Sequence, residues 1–238
     1  DAAVAWAQAG LRMGRPDVGA QALAEGVPDR LIHLTGNTVV DAQLWTREHK
    51  SIRRRSAGRG HVLVTVHRRE NWGEPLEQIC GAVADVADTH PDLTVLFPVH
   101  PNPIVRDQVH SRLSTRANVK LVVPFDYLAM QQALADAWLV LTDSGGLQEE
   151  APTFSVPLLV LREETERPEA VEAGCARLVG TDRAGIVAHV NQLIRDEDAY
   201  RQMQRQGNPF GDGTASQRIV SILKRRLSTT KRTSVAAA

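Results

Sequence analysis

Apolar residues along this chain fall into two recurring patterns. Short β-branched runs alternate with stretches in which apolar positions return every three or four residues, the spacing of one helix face. His61 to Val66 (HVLVTV) reads as a buried strand. Pro75 suits a first helical turn, and Leu76, Ile79, Cys80, Val83, Ala84 and Ala87 repeat at helical spacing behind it. Leu93 to Val99 (LTVLFPV) is a second strand, and Ile104, Val105, Val109 and Leu113 form the apolar stripe of the next helix. Val119 to Val123 is a third strand, Tyr127 to Ala137 a third helix, and Trp138 to Thr142 (WLVLT) a fourth strand. The turn Asp143-Ser144-Gly145-Gly146 leads into another helix. Pro157 to Leu161 is a fifth strand and Arg177 to Gly180 a short sixth.

Strands separated by helices require crossover connections, which make a parallel sheet covered on both faces. The expected fold is therefore α/β, with a Rossmann-like sheet over residues 51–210. Residues 1–50 hold short helical pieces. Ser51 to Gly60 (SIRRRSAGRG) reads as a basic linker, or else as a phosphate site. Asn208 to Gly213 (NPFGDG) is a dense turn cluster. Thr214 can cap a last helix over 211–227 that carries Ile219, Val220, Ile222 and Leu223, and residues 228–238 are expected to be disordered. No internal repeat is visible.

Composition narrows the classes. With 42% hydrophobic residues in 238, the chain can fill a real core, and a formal net charge of zero gives no case for nucleic acid or a membrane surface as partner. No apolar run reaches the length of about 18 residues that a membrane-spanning helix needs, and no signal peptide opens the chain. Cys80 and Cys175 sit in apolar helical surroundings and read as reduced core thiols, so a cytoplasmic setting is expected. Starting at Asp1 rather than Met, the chain reads as a fragment or a processed product.

Ligands of such sheets bind beyond the carboxyl ends of the strands, and the chemistry-bearing residues cluster there. Thr142 to Pro152 (TDSGGLQEEAP) ends a strand, places two glycines and starts a helix. Adjacent glycines let a phosphate approach the backbone, and free N–H groups at a helix start favour an anion. Ser144 adds a hydroxyl, and Glu150 can accept hydrogen bonds from two vicinal hydroxyls such as those of a ribose. The plainer reading is a tight turn before a helix rich in acids. In Val64 to Gly73 (VTVHRRENWG), His67, Arg68 and Arg69 put fixed donors at a strand end, where Arg can grip phosphate through two parallel bonds; a structural histidine is the alternative. Pro98 to Pro103 (PVHPNP) fixes where His100 points, or is a proline-rich turn with Asn102 as a cap. In Arg162 to Ala170 (REETERPEA), Pro168 at a helix start sets Arg167 at the helix mouth, facing the cleft; a solvated charged loop is the alternative. No close His/Cys pairing suggests a metal site, and no Gly-x-Ser-x-Gly elbow surrounds Ser144.

Taken together and in this order, VTVHRREN, PVHPNP, DSGGLQEEAP and ETERPEAVEAG resemble the non-hydrolysing UDP-N-acetylglucosamine 2-epimerases, and LTGNTVVD (Leu34 to Asp41) and NPFGDG match further segments of that family. The resemblance spans residues 22–225. It implies the C-terminal domain of a two-domain, GT-B-like fold, with the N-terminal domain truncated and residues 1–50 its remnant and connection. It further implies UDP or UDP-GlcNAc as ligand, interconversion of UDP-GlcNAc and UDP-ManNAc by elimination and re-addition of UDP, no cofactor and no metal, and, since family members are commonly homodimers, a second copy of the chain as partner. By resemblance His67 contacts the diphosphate and supports its departure, Ser144, Gly145 and Gly146 form the diphosphate loop, Glu150 holds the ribose and Arg167 contacts the nucleotide sugar. Phe125 and Met130 fall where the family holds uracil, Met130 replacing a residue that is aromatic in some members. Arg68 and His100 match positions that touch a second, regulatory UDP-sugar in bacterial members. The family's catalytic carboxylates lie in its N-terminal domain, and Gln8 stands where the family has a glutamate before Ala-Gly-Leu-Arg. A glutamine cannot take a proton at neutral pH, so weak or absent epimerisation by this chain alone is expected. A non-catalytic UDP-sugar-binding module, a GT-B glycosyltransferase C-terminal domain and a hydrolysing epimerase are the alternatives.

Overall fold

A computed structural model describes residues 22–55, 59–204 and 207–235, with side chains through Leu227. Gln8 and the rest of Ala7 to Val18, residues 56–58 of the basic linker and residues 236–238 of the tail lie outside the described residues.

The chain divides into two compact units. One comprises Thr46–Pro209; the other joins Asp1–Trp45 to Phe210–Ala238. In the larger unit six strands form one sheet: β1 (His61–Thr65), β2 (Val95–Pro98), β3 (Val119–Val122), β4 (Ala137–Thr142), β5 (Leu158–Val160) and β6 (Ala176–Leu178). Their order is β3-β2-β1-β4-β5-β6, and every pairing is parallel. The chain thus runs outward from β1 to β3, returns to lay β4 beside β1, and runs outward again to β6. Ligand crevices open at the point where such an order reverses, here between β1 and β4.

The strands form because both faces of the sheet are covered. Alternation along β1 sends Val62 and Val64 to a core shared with Phe97, Leu139 and Leu159, while Leu63, buried too, points to the other face with Val140 and Leu158. The first core is closed by helices at Glu74–Thr89, Pro103–Leu113 and Arg183–Arg195 through Leu76, Ile79, Val83, Val105, Val109, Ile186 and Val190. In chain order the helices are α1 (Thr38–His49), α2 (Glu74–Thr89), α3 (Pro103–Leu113), α4 (Tyr127–Asp136), α5 (Gly145–Glu150), α6 (Pro168–Glu172), α7 (Arg183–Arg195), α8 (Glu197–Met203) and α9 (Ala215–Val235). Each strand lies within two residues of its expected ends. Pro75 and Pro168 open their helices as expected, and the Asn102 carboxamide caps α3 by accepting from Ile104 N at 2.9 Å. Cys80 and Cys175 are free and buried, and burial pushes the Cys80 thiol up to about 12.

The smaller unit corrects two expectations. Thr214 does not cap the last helix through its side chain. Its hydroxyl donates to Asp212 Oδ1 at 2.7 Å, while the Asp41 carboxylate accepts from Ala215 N at 3.2 Å and Ser216 N at 2.7 Å. An ionised carboxylate meets the positive end of a helix better than a hydroxyl does. The last helix also continues past Leu227 to Val235. Once a turn exists, propagation adds one hydrogen bond per residue fixed, so moderate helix formers extend it. Among the described residues no helix is long and apolar enough to cross a membrane.

Candidate nucleotide site

At the carboxyl ends of β1 to β4 lies a cavity of about 460 Å³. Loops after four strands build its wall: Val66 and His67 follow β1, Pro98, His100 and Pro101 come from the end of β2 onward, Pro124 to Asp126 follow β3, and Ser144, Gly146, Leu147 and Glu150 follow β4. Tyr127 and Met130 on the first turn of α4 close one side. The lining is mixed, apolar from the prolines, Phe125, Met130 and Leu147, and polar from His67, Ser144 and Glu150.

Asp143, buried completely at the end of β4, anchors the polar part of the lining. Its carboxylate accepts from the backbone N–H of His67 at 3.1 Å and of Arg68 at 2.9 Å, and from Asn71 Nδ2 at 3.0 Å. A fourth contact joins Asp143 Oδ1 to His67 Nδ1 at 2.9 Å. Burial works against the Asp143 charge, but the bonds from His67, the Arg68 amide and Asn71 outweigh it and hold the carboxyl below its ordinary range. The same hydrogen bond raises His67 against its own partial burial and the nearby Arg68 charge. The loop after β1 is therefore folded around a carboxylate supplied by β4, and His67 stands half-exposed on the cavity wall. Beneath the pair, the buried hydroxyls of Thr65 and Thr142 meet at 2.7 Å and tie the two strand ends together.

Ser144 is the N-cap of α5: its Oγ accepts from Leu147 N at 3.4 Å. A hydroxyl that accepts through a lone pair keeps its proton to donate. A Cβ built on Gly146 would sit in ordinary contact, 3.7 Å from Ser144 Oγ and 3.8 Å from Glu150 Oε1, so the cavity wall there is bare backbone. Glu150 Oε2 accepts from Gln131 Nε2 at 2.6 Å. Burial raises the Glu150 carboxyl, the Gln131 bond opposes the rise, and neighbouring Glu149 adds to it. His100 Nδ1 accepts from Asn102 N at 3.2 Å, and the His100 ring lies 6.2 Å from that of Trp72, so its direction is set by the proline-rich loop.

Three of the residues singled out from sequence stand just behind the wall. A Cβ on Gly145 would lie 3.5 Å from Arg68 Nη2 and 3.8 Å from Arg167 Cζ, so both guanidinium groups bear on the start of α5. Arg167, the N-cap residue of α6, does not face open space: its Nε is paired with Glu149 and its Nη1 donates to the Glu166 carbonyl at 3.0 Å. Arg68 meets Glu166 at 3.4 Å, and Arg162 bridges Glu166 at 2.7 Å and Glu70 at 3.0 Å. The Arg162 hydrogen bond holds Glu166 down at about 2. Further along, Asn208 Nδ2 donates to the Glu149 carbonyl at 2.7 Å and to Thr153 Oγ1 at 2.8 Å, which gives Asn208 a structural task at the end of α5.

Sequence reasoning overlooked Asp143, Asn71 and Gln131 as members of the site. Asn71 and Asp143 lay within the quoted motifs, and a carboxylate at the end of an otherwise apolar buried strand was the available signal. Nothing local marked Gln131. Among the described residues no group of three or more His, Cys, Asp or Glu side chains is arranged to hold a metal ion.

Comparison with known proteins gives this geometry a family. The family model described as UDP-N-acetylglucosamine 2-epimerase matches residues 16–224. The UDP-N-acetylglucosamine 2-epimerase of Escherichia coli K12 is 48% identical over 214 residues, which are 85% of this chain and 57% of that protein. The chain thus spans a little over half the length of the curated relatives it matches. A Neisseria meningitidis UDP-GlcNAc 2-epimerase solved with UDP-GlcNAc superposes with a TM-score of 0.81 at 37% identity, covering 88% of this chain and 59% of the other. An S. aureus protein solved with UDP, MnaA, superposes with a TM-score of 0.80 at 38% identity, covering 89% of this chain and 59% of the other. The six-stranded parallel sheet, the loops at its carboxyl edge and the match over 209 residues in one order have a single reading: the chain belongs to the UDP-N-acetylglucosamine 2-epimerase family.

Proposed function

We propose that the cavity beyond β1 to β4 binds the UDP part of a UDP-N-acetylhexosamine, and that the chain supplies the nucleotide half of a non-hydrolysing 2-epimerase interconverting UDP-GlcNAc and UDP-ManNAc. The observation that carries the reading is that one cavity is lined jointly by apolar Phe125 and Met130 and by polar His67, Ser144, bare Gly146 backbone and Glu150. A uracil suits the apolar residues. Ribose hydroxyls suit an ionised carboxylate, and a diphosphate suits an imidazolium, a hydroxyl and exposed amides. In this reading Glu150 takes the ribose, Ser144, Gly145 and Gly146 cradle the diphosphate, and Arg167 and Arg68 add positive charge from behind Gly145.

The chemistry asked of these residues is leaving-group stabilisation. The C2 hydrogen of a pyranose is barely acidic, so direct proton abstraction is unfavourable. Breaking the C1–O bond to UDP and removing the C2 proton give 2-acetamidoglucal; protonation at the other face of C2 and return of UDP give the epimer. Donors aimed at the departing diphosphate lower the barrier because charge develops there. His67 is the residue we assign to that task. A carboxylate must move the C2 proton, and none of the residues assigned here does so; epimerisation by this chain alone is therefore expected to be weak or absent. The reading carries with it a cytoplasmic setting and a homodimeric assembly. Calorimetry with UDP, ADP and uridine tests it: UDP should bind tightest, ADP should lose the base contacts and uridine the diphosphate contacts. Equal affinity for UDP and ADP would remove the assignment of Phe125 and Met130, and no binding of UDP would remove the site.

A further inference from the structure

We infer that Asp143 is a positioning residue for His67: its carboxylate keeps a proton on Nδ1 and so makes Nε2 the atom through which the ring meets an anionic ligand. The inference rests on the reading that a diphosphate lies against His67, and it deepens that reading.

The argument starts from hydrogen-bond capacity. An ionised carboxylate only accepts, and Asp143 already serves two backbone N–H groups and the Asn71 amide. All three donors converge on Oδ2, a concentration that favours negative charge there, and with the His67 contact at Oδ1 they hold the carboxyl below its ordinary range, so the buried group is a carboxylate. His67 Nδ1, 2.9 Å from it, must then carry hydrogen in both charge states of the ring. Neutral His67 offers Nε2 as a lone pair, which repels a phosphate oxygen; protonated His67 offers Nε2–H, which binds it. Binding a diphosphate therefore couples to charging of the imidazole, and Asp143 makes that charging possible at neutral pH. The other ionisable groups around the ring are Arg68 on its own loop, His100 after β2, Asp126 before α4 and Glu150 on α5, with Arg167 behind Gly145. Asp143 alone among these contacts the ring.

The sign follows from the raised His67 value. Below it the ring is already charged and UDP affinity is flat. Above it each bound UDP must bring a proton, and affinity falls about tenfold per pH unit until the value of the complex is passed. Asp143→Asn changes this in a specific way. The asparagine carbonyl, in the place of Oδ2, keeps the three donors, and its amide, in the place of Oδ1, donates into Nδ1, so the ring switches to the Nε2–H tautomer and stays neutral through the range.

The test is UDP calorimetry from pH 7 to 9 on wild type and Asp143→Asn, where the terminal phosphate, with a second pKa of about 6, is already ionised. Nitrogen-15 NMR of His67 in both proteins without ligand accompanies it. Wild type should show the Nδ1–H tautomer, a titration above the ordinary histidine value and a falling affinity; the variant should show Nε2–H and a flat profile. A variant that weakens UDP equally at every pH, or keeps the wild-type slope, overturns the inference and leaves Asp143 a merely structural group. Should Asp143→Asn fail to fold, His67→Gln, which keeps a donor toward Asp143 but cannot titrate, must flatten the same profile, and a slope that survives in it overturns the inference as well. If UDP does not bind wild type at all, the nucleotide reading fails, while the NMR tautomer and titration still decide whether Asp143 controls the ring.

Discussion

Replacing Glu150 separates what the protein needs from what the ligand needs. The carboxylate sits at the end of α5, accepts from Gln131 at 2.6 Å and is raised by burial. An acid whose folded pKa lies above its ordinary 4.5 binds more protons folded than unfolded, so stability falls as pH rises through that window. At neutral pH the Glu150 charge therefore opposes folding. Glu150→Gln, which keeps an acceptor for Gln131, should leave the melting temperature at pH 7 unchanged or raise it, with any gain vanishing below pH 4.5. Binding should move the other way. Two hydroxyl bonds to a charged acceptor are worth about 2–4 kcal/mol together, so Glu150→Ala should weaken UDP by about 30- to 700-fold, at 1.4 kcal/mol per decade. Glu150→Gln, keeping one neutral acceptor, should fall between Ala and wild type. Calorimetry with UDP and 2′-deoxy-UDP is the decisive assay, because the alanine variant should no longer distinguish them. Unchanged UDP affinity in Glu150→Ala, or full discrimination against the deoxy ligand in that variant, would refute the ribose assignment.

Gly146→Ala should melt like wild type, since its Cβ would make only ordinary contacts at 3.7 and 3.8 Å, yet should bind UDP at least tenfold more weakly by occupying diphosphate space, about 1.4 kcal/mol; equal affinity places the diphosphate elsewhere. Gly60→Ala tests the fold instead: the added Cβ would overlap the Asp136 carbonyl oxygen, and a thermal melt should show a loss of roughly 2 kcal/mol or more. Glu166, held at about 2 by Arg162, should stabilise above pH 4.5 and lose that contribution as pH falls toward 2. Because its side chain is 49% exposed, Glu166→Gln should cost under about 1 kcal/mol at pH 7 by urea titration.

The inner strands were legible because they are buried on both faces, so β1, β2, β4 and β5 announce themselves as β-branched or leucine-rich runs, whereas the edge strands β3 and β6 carry Lys120 and Arg177 and stand out less. The ends moved by a residue or two where the run continues past the ladder, as at Leu93 and Val99 around β2. The loops at the carboxyl edge were legible for the same reason, since a strand's end locates them. What stayed hidden were pairings across the fold. Asp143 and His67 each stood in a quoted motif, yet nothing in the local pattern says that β4 lies beside β1. Arg68 was read as a donor at a strand end and Arg167 as facing the cleft, and their pairing with Glu166 and Glu149 close to Gly145 was not visible in either motif. The Asp41 cap on α9 spans 174 residues, and a Thr before a helix pointed to the nearer and wrong acceptor.

The adjacency of β1 and β4 ties recognition to the completeness of the fold. The pairing joins residues such as Thr65 and Thr142, 77 apart in the chain, so the cavity wall is complete only when all four strands are in place, and long-separation contacts of this kind form slowly. If a nucleotide fills the pocket as proposed, its occupancy gauges the assembly of those four strands: ligand at a hundred times its Kd would add about 2.7 kcal/mol to any unfolding that separates them, and nucleotide added during refolding would reward only molecules in which all four had come together.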